Sequence, residues 1–294
     1  MKGVRTITNK KIPHLSETGI LDSHHHFWKV ARGDYGWMTP DLLIARDFMP
    51  QDLRQSLQDV GVTKTILVQA APTEAETGFL LDIAQTCDFV HGVCGWLDLD
   101  DDGFPDRLAH YMANPWWRSF RPMLQDLDDP KWILQPRVLR NLAYVAQMGV
   151  RFEVLTTPVQ LPHAVAALRA TPGLKAVVNH LSKPAIASRE LEPWASLIAE
   201  LVDFPDVYCK LSGMVTEADP KQRNADIAPY VSHALDVFGV DRVMFGSDWP
   251  VALLAVEQYS DMMDVLVSCV SDRLSPLEMQ KLFHDNAFRF YFGG

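Results

Sequence analysis

Cysteine is scarce in this 294-residue chain: four residues, at positions 87, 94, 209 and 269, with no CxxC pair among them. That spacing excludes a disulfide scaffold and a zinc ribbon, and it reads as a reduced, cytoplasmic protein with isolated thiols. Basic charge is in deficit too, 27 Lys and Arg against 37 Asp and Glu, for a formal net charge of −10. This balance argues against non-specific nucleic-acid binding and against attraction to anionic membranes. No apolar run is long enough to cross a bilayer. Residues 1–18 are polar, with scattered lysines and without the apolar stretch of a secretory signal, so they read as a loosely ordered arm. No Gly-rich phosphate loop follows the first apolar run, and no low-complexity linker or shift of composition divides the chain.

What is present is apolar substance, 48% of the residues, in a chain long enough to bury a full-sized core. From Gly19 onward, β-type runs alternate with helical patterns. The spacing predicts strands over Gly19–Ser23, Thr63–Gln69, Val90–Leu97, Ser119–Met123, Val150–Leu155, Ala176–His180, Val207–Leu211 and Arg242–Gly246. It predicts helices over Pro50–Val60, Thr77–Cys87, Pro136–Met148, Leu161–Ala170, Leu191–Val202 and Ala225–Phe238. The eighth strand, Val243-Met244-Phe245, is continuously apolar, as a parallel strand covered on both faces must be. Eight strands alternating with helices over about 270 residues match a single (β/α)8 barrel spanning 19–294, for which about 250 residues is typical. A doubly wound open sheet is the competing architecture, and the missing phosphate loop counts against it.

In a barrel the chemistry sits at the C-terminal ends of the strands. There the sequence places His24 and His26, then Gln69, Trp96, Arg121, Glu153, His180, Lys210 with Ser212, and Asp248. In an extended strand alternate side chains share a face, so His24 and His26 converge while His25 points away and is read as structural. Converging imidazoles can bind a divalent cation or polarise a carbonyl oxygen. Each residue alone has an ordinary explanation. His180 can be a core histidine bonded to a carbonyl, Arg121 a partner of Asp126 or Asp128, and Glu153 a partner of Arg151 or Arg121. Lys210 can snorkel to the rim, and Asp248 can cap a turn. Polar groups at nearly every strand end together point to catalysis, because packing alone favours branched aliphatics there.

His24-x-His26, His180 and Asp248 resemble the amidohydrolase superfamily. Longer strings resemble its sugar-acid and aromatic-acid lactonase branch: Leu21-Asp22-Ser23-His24-His25-His26-Phe27-Trp28, Gly33-Asp34-Tyr35-Gly36-Trp37, Phe120-Arg121-Pro122-Met123 and His180-Leu181-Ser182-Lys183-Pro184. Cys209-Lys210-Leu211-Ser212-Gly213-Met214-Val215-Thr216-Glu217-Ala218 and Phe245-Gly246-Ser247-Asp248-Trp249-Pro250 complete the set. The resemblance implies opening of a small sugar-acid lactone, L-fucono-1,5-lactone or a related aldonolactone, to the free acid. Asp248 then activates water, while His24, His26 and His180 polarise the carbonyl directly or, with Asp248, hold one divalent metal. Zinc suits that donor set, and the branch implies that the metal need not be essential. No strand-four lysine is present to bridge a second ion. Arg121 and Lys183 suit a substrate carboxylate or hydroxyl, Glu153 suits sugar hydroxyls, and Trp28, Tyr35, Trp37 and Trp249 suit the apolar face of a ring. The chain departs from the branch at Ser119-Phe120-Arg121-Pro122, at Asn179-His180-Leu181-Ser182 and at Glu153, which bears on the choice of lactone more than on the reaction. Competing readings are a metal-dependent aromatic-acid decarboxylase, a pyrone- or muconolactone-type lactonase, and a non-catalytic sugar-acid binder.

Overall fold

The computed structural model describes residues 18–221 and 223–293, so the proposed N-terminal arm lies, apart from Thr18, outside the described residues. Eight strands appear in the expected order: β1 (Ile20–His25), β2 (Val62–Val68), β3 (Val90–Gly95), β4 (Trp117–Phe120), β5 (Arg151–Val154), β6 (Lys175–Val178), β7 (Val207–Leu211) and β8 (Val243–Phe245). Every neighbouring pair is parallel, in the order β1 to β8. The ring is drawn shut between its last and first strands. Ser23 Oγ donates to Phe245 O (2.6 Å), Asp248 N to His24 O (2.8 Å) and His26 N to Trp249 O (2.7 Å). The architecture is the (β/α)8 barrel.

Most strands end one to three residues earlier than the apolar pattern predicts, and two of these ends have a clear cause. β4 stops at Phe120 rather than Met123, because Pro122 has no N–H to continue the ladder after Arg121 N bonds Gly95 O. β6 stops at Val178 rather than His180, where the backbone turns into the left-handed region.

The helices follow local chemistry. α1 (Pro50–Val60) opens on a proline, and Asp52 accepts from Met49 N at 2.8 Å. α2 (Glu74–Thr86) starts three residues before the predicted Thr77, because Thr73 Oγ1 caps Glu76 N at 3.0 Å. α3 (Phe104–Met112) was not expected. α4 (Pro136–Gln147) and α5 (Leu161–Ala170) fall where the periodicity puts them. α6 is short, Trp194–Ala199, and tightens into a 3₁₀ turn over Glu200–Asp203. α7 (Met214–Glu217) is a single turn after β7, and α8 spans Arg223–Phe238. α9 (Tyr259–Val270), α10 (Pro276–Gln280) and α11 (Asn286–Phe292) complete the chain's helices among the described residues.

The barrel interior is filled by Leu21, Ile66, Val68, Cys94, Val177 and Met244, with Phe290 and Tyr291 of α11 packed against them. Each large apolar side chain so buried contributes about 1.5–3 kcal/mol. α11 stoppers the N-terminal mouth: Arg151, the first residue of β5, donates from Nε to Phe290 O (2.6 Å), and Tyr208 of β7 packs on the Phe290 ring (centroids 5.2 Å). The opposite, C-terminal face is left to the polar side chains.

Candidate active site

Asp22 builds the foundation. Its carboxylate accepts from His24 N (3.0 Å), Ser247 N (2.9 Å), Ser247 Oγ (2.6 Å) and Tyr259 OH (2.8 Å), tying β1 to the turn that follows β8. Burial raises its pKa to about 6, and the hydrogen bonds from Ser247, His24 and Tyr259 oppose that rise. The turn it holds presents Asp248 at a left-handed φ of 57°. The register between β1 and β2 slips between Asp22 and His25, where His24 and His26 come to face one another at 3.2 Å between their Nε2 atoms. His25 points elsewhere, its Nε2 2.8 Å from Thr65 Oγ1.

His180 is delivered by an unusual piece of backbone. Residues 180 to 183 carry φ values of 54, 52, 61 and 49°, a left-handed run with no glycine in it. Each such residue costs roughly 1–2 kcal/mol, so the surroundings must hold it. Trp194 Nε1 donates to Leu181 O (2.6 Å), Thr156 and Ser182 share a hydroxyl hydrogen bond, and His180 Nδ1 sits 2.8 Å from Ser212 Oγ. Gly213, at φ +65°, makes room: a Cβ there falls 2.5 Å from His180 Nδ1.

These elements converge on one carboxylate oxygen. Asp248 Oδ1 lies 3.2 Å from His26 Nε2, 3.6 Å from His24 Nε2 and 3.8 Å from His180 Nε2, all in buried residues. Burial pushes the Asp248 carboxyl up, but His180, the His26 hydrogen bond and Lys183 outweigh it and hold the pKa at about 2. Burial lowers His180 to about 3, against the pull of Asp248. It lowers His24 well below the ordinary histidine value, with Lys210, His180, His26 and Arg121 adding to the effect. Near neutral pH the centre therefore pairs an ionised carboxylate with uncharged His24 and His180.

Hydrogen-bond sense assigns the tautomers. His26 Nδ1 lies 2.8 Å from Val68 O, which can only accept, so His26 carries a hydrogen on Nδ1, and its Nε2 donates to Asp248 only when a second hydrogen sits there. Lys210 Nζ lies 3.2 Å from His24 Nδ1; when it donates there, His24 carries its hydrogen on Nε2. Arg121 Nη1 lies 3.4 Å from that same Nε2.

Beneath the centre runs a buried network. Lys210 Nζ donates to Glu153 Oε2 (2.6 Å), as does Asn179 Nδ2 (3.0 Å), while Ser119 Oγ (2.8 Å) and Tyr291 OH (2.6 Å) donate to Oε1. Glu153 and Lys210 are both 0% exposed. Arg121 donates to Gln69 O (2.6 Å) and Asn179 Oδ1 (3.2 Å), and its buried Nε has no hydrogen-bond partner among the described residues.

The residues singled out from the sequence thus divide. His24, His26, His180, Asp248 and Arg121 meet in one place, and Lys183 stands beside them, half-buried on the left-handed turn. Glu153 is placed under the pocket with four donors on its two oxygens, so sugar hydroxyls meet no open side of it. Its partners are Lys210, Asn179, Ser119 and Tyr291 rather than Arg151 or Arg121. Arg121 bonds neither Asp126 nor Asp128. Trp28 is fully buried, Nε1 on Arg46 O (2.7 Å), and Trp249 is buried edge-on against Phe48. Tyr35 is buried with its OH on Glu76 Oε2 (2.9 Å). Only Trp37 of the four aromatics is half-buried, its Nε1 on Ala70 O (2.8 Å) at the end of β2. Asp22 and Gly213 were missed as site residues, and Ser212, read at the end of the seventh strand, carried no assigned role. The signal for Asp22 was its parity with His24 in the strand; Gly213 gave none.

The donor set fits a metal ion in part. His24, His180 and Asp248 each offer a ligand atom within 4.8 Å of the others, and all three are buried. Ser212 and Val68 hold the far nitrogens of His180 and His26, as outer partners of ligating histidines do. In addition, a bare His26 Nε2 and an ionised Asp248 oxygen 3.2 Å apart repel unless a proton or a cation lies between them.

This barrel with its His-x-His, His and Asp is an amidohydrolase centre: residues 21–293 match the Amidohydrolase family, and the chain belongs to it. The chain is 40% identical over 275 residues to L-fucono-1,5-lactonase of Burkholderia ambifaria, covering 92% of this chain and 94% of that one. It is 34% identical to L-fucono-1,5-lactonase of Burkholderia multivorans, covering 92% and 95%. A crystal structure of an amidohydrolase from Burkholderia multivorans with bound zinc superimposes with a TM-score of 0.87, at 34% identity and covering 92% of this chain and 98% of that chain. Among the described residues no helix is long and apolar enough to cross a membrane.

Proposed function

We propose that the chain is a lactonase that opens an aldonolactone, L-fucono-1,5-lactone or a close relative, to the free sugar acid. The observation that carries this reading is the convergence of His24, His26 and His180 on one oxygen of Asp248, in a chain 40% identical to a lactonase of that specificity.

Hydrolysis needs a proton acceptor for water, a donor for the carbonyl oxygen and a proton for the leaving ring oxygen. Asp248 is ionised and takes the proton of the attacking water as the water oxygen bonds to the carbonyl carbon. Negative charge then builds on the carbonyl oxygen, and the Nε2–H of His24 and the guanidinium of Arg121 are the donors nearest to meet it. When the C–O ring bond breaks, Asp248 returns its proton to the departing oxygen, and the carboxylate is restored. Lys210 holds His24 in the donating tautomer, and Glu153 holds Lys210. Lys183 and Trp37, at the rim, are assigned to the substrate.

Where a metal binds, His24, His180 and Asp248 would hold it, His24 through an Nε2 that has given up its hydrogen, with His26 alongside; zinc suits the set and would supply carbonyl polarisation as a Lewis acid. The four cysteines are free, in keeping with a reducing cytoplasm.

The test is acid release by the purified protein from a panel of 1,4- and 1,5-aldonolactones, with pyrone dicarboxylate and aromatic acids alongside, before and after chelation. Fast release from a deoxy-sugar 1,5-lactone supports the reading. Carbon dioxide from an aromatic acid, with every lactone inert, overturns it.

A further inference from the structure

α7 ends in Glu217, a residue that the mechanism above does not use. The turn begins at Gly213, against the ring of His180, and packs on the segments Ile186–Ser188 and Val251–Leu254. Those segments belong to the two loops that deliver His180 with Lys183 and Asp248. Glu217 therefore stands at the C-terminal face, over the site. Its side chain is half-buried, yet among the described residues its carboxyl group has no hydrogen-bond partner and no ion pair within 4.0 Å. The ammonium of Lys183 is likewise half-buried, with no hydrogen-bond partner among the described residues. The two groups and Asp248 still share a field. Burial raises the Glu217 carboxyl, Lys183 draws it back down, and Asp248 pushes it up further.

Two fully buried carboxylates of this barrel, Glu153 and Asp22, each have four donors. The Glu217 oxygens are not among the sealed, unpartnered polar atoms, so a group entering the site can reach them. Glu217 borders a pocket whose proposed occupant carries several hydroxyl groups. We propose that Glu217 is a specificity-determining residue whose carboxylate accepts a hydrogen bond from a ring hydroxyl of the lactone, opposite Lys183. The inference rests on the lactonase reading and adds to it the group that selects a polyhydroxylated ring over a bare one. A hydroxyl bound to a charged acceptor is among the stronger protein–ligand hydrogen bonds, and a site built around it discriminates against a substrate lacking that hydroxyl.

The test is a cycle between the side chain and the hydroxyl. Wild type, Glu217→Ala and Glu217→Gln are compared by kcat/KM on a 1,5-aldonolactone and on its 2-, 3- and 4-deoxy forms. Glu217→Ala should lose roughly 10- to 100-fold on the full lactone. That loss should shrink towards unity on the one deoxy form lacking the hydroxyl that Glu217 reads. Glu217→Gln keeps the shape and an acceptor, so it should lose less, which also guards against a folding defect in the alanine variant. An equal loss on every lactone, or none on any, overturns the assignment and leaves the lactonase reading standing. A wild-type chain inert towards all of them overturns both.

Discussion

The two ends of the same eight strands are made of different materials. At the N-terminal mouth, Leu21, Ile66, Val177 and Met244 close over the rings of α11. At the C-terminal rim the strands and their following turns offer His24, Gln69, Arg121, His180, Ser212 and Asp248, all buried and polar. The floor holds the barrel and the rim does the chemistry, as is general for this architecture. Here one file of groups runs from one to the other: Tyr291 of the plug bonds Glu153, Glu153 bonds Lys210, and Lys210 bonds His24. The difference teaches that changes at the rim should cost turnover without stability, and changes along the file should cost both.

The sharpest test of that separation is at the rim. Asp248→Asn should lower kcat by roughly 10³-fold, with the unfolding midpoint shifted by less than about 5 °C, read by lactone turnover and circular dichroism. A large loss of stability there would merge the two ends.

Along the file, Lys210→Met strands a carboxylate inside the barrel and should cost about 3–5 kcal/mol in urea denaturation. Adding Glu153→Gln should restore much of it, because the uncompensated charge is then gone.

At the floor, Tyr291→Phe removes one donor from an ionised acceptor and should cost about 1.5–3 kcal/mol, with a smaller fall in kcat than at Asp248. No change in either would show that the plug and the rim are independent.

The smallest effect is expected beside the rim, at a group outside the cluster around Asp248. Glu76 accepts from Tyr35 OH (2.9 Å) and Ala70 N (3.1 Å), and burial lifts its pKa from 4.5 to about 7. Its folded value lies above the unfolded one, so the fold favours the protonated form. That contribution is full below pH 4.5 and drains away as the pH climbs through about 7. Glu76→Gln should therefore flatten the decline in stability across that window, read by melting at several pH values.

How much of this was legible in the sequence follows from the range of the interactions. Strands came through because their apolar runs are local, and α1 and α5 because proline, polar caps and helical spacing are local too. The meeting of His24, His26, His180 and Asp248 was legible only through whole motif strings, since Asp248 lies 222 residues from His26. Glu153 was assigned to the substrate because nothing nearby in sequence reveals that Tyr291, 138 residues on, and Lys210 saturate it. Trp28 and Trp249 read as ring-stacking residues for a similar reason: an aromatic beside a pocket and one behind it look the same in a string. β6 was drawn too long because Val178-Asn179-His180-Leu181 carries no glycine to announce the reversal.

That reversal also bears on the order in which the molecule is made. A non-glycine residue adopts positive φ only a few per cent of the time, so four in succession occur in roughly one free-chain conformer in a million. The run from His180 to Lys183 is held by Thr156 after β5, Trp194 of α6 and Ser212 after β7. Its shape is thus available only once parts of the chain from residue 156 to residue 212 have already assembled. Competence for reaction therefore cannot precede the assembly of that side of the barrel, and it is lost when that side loosens.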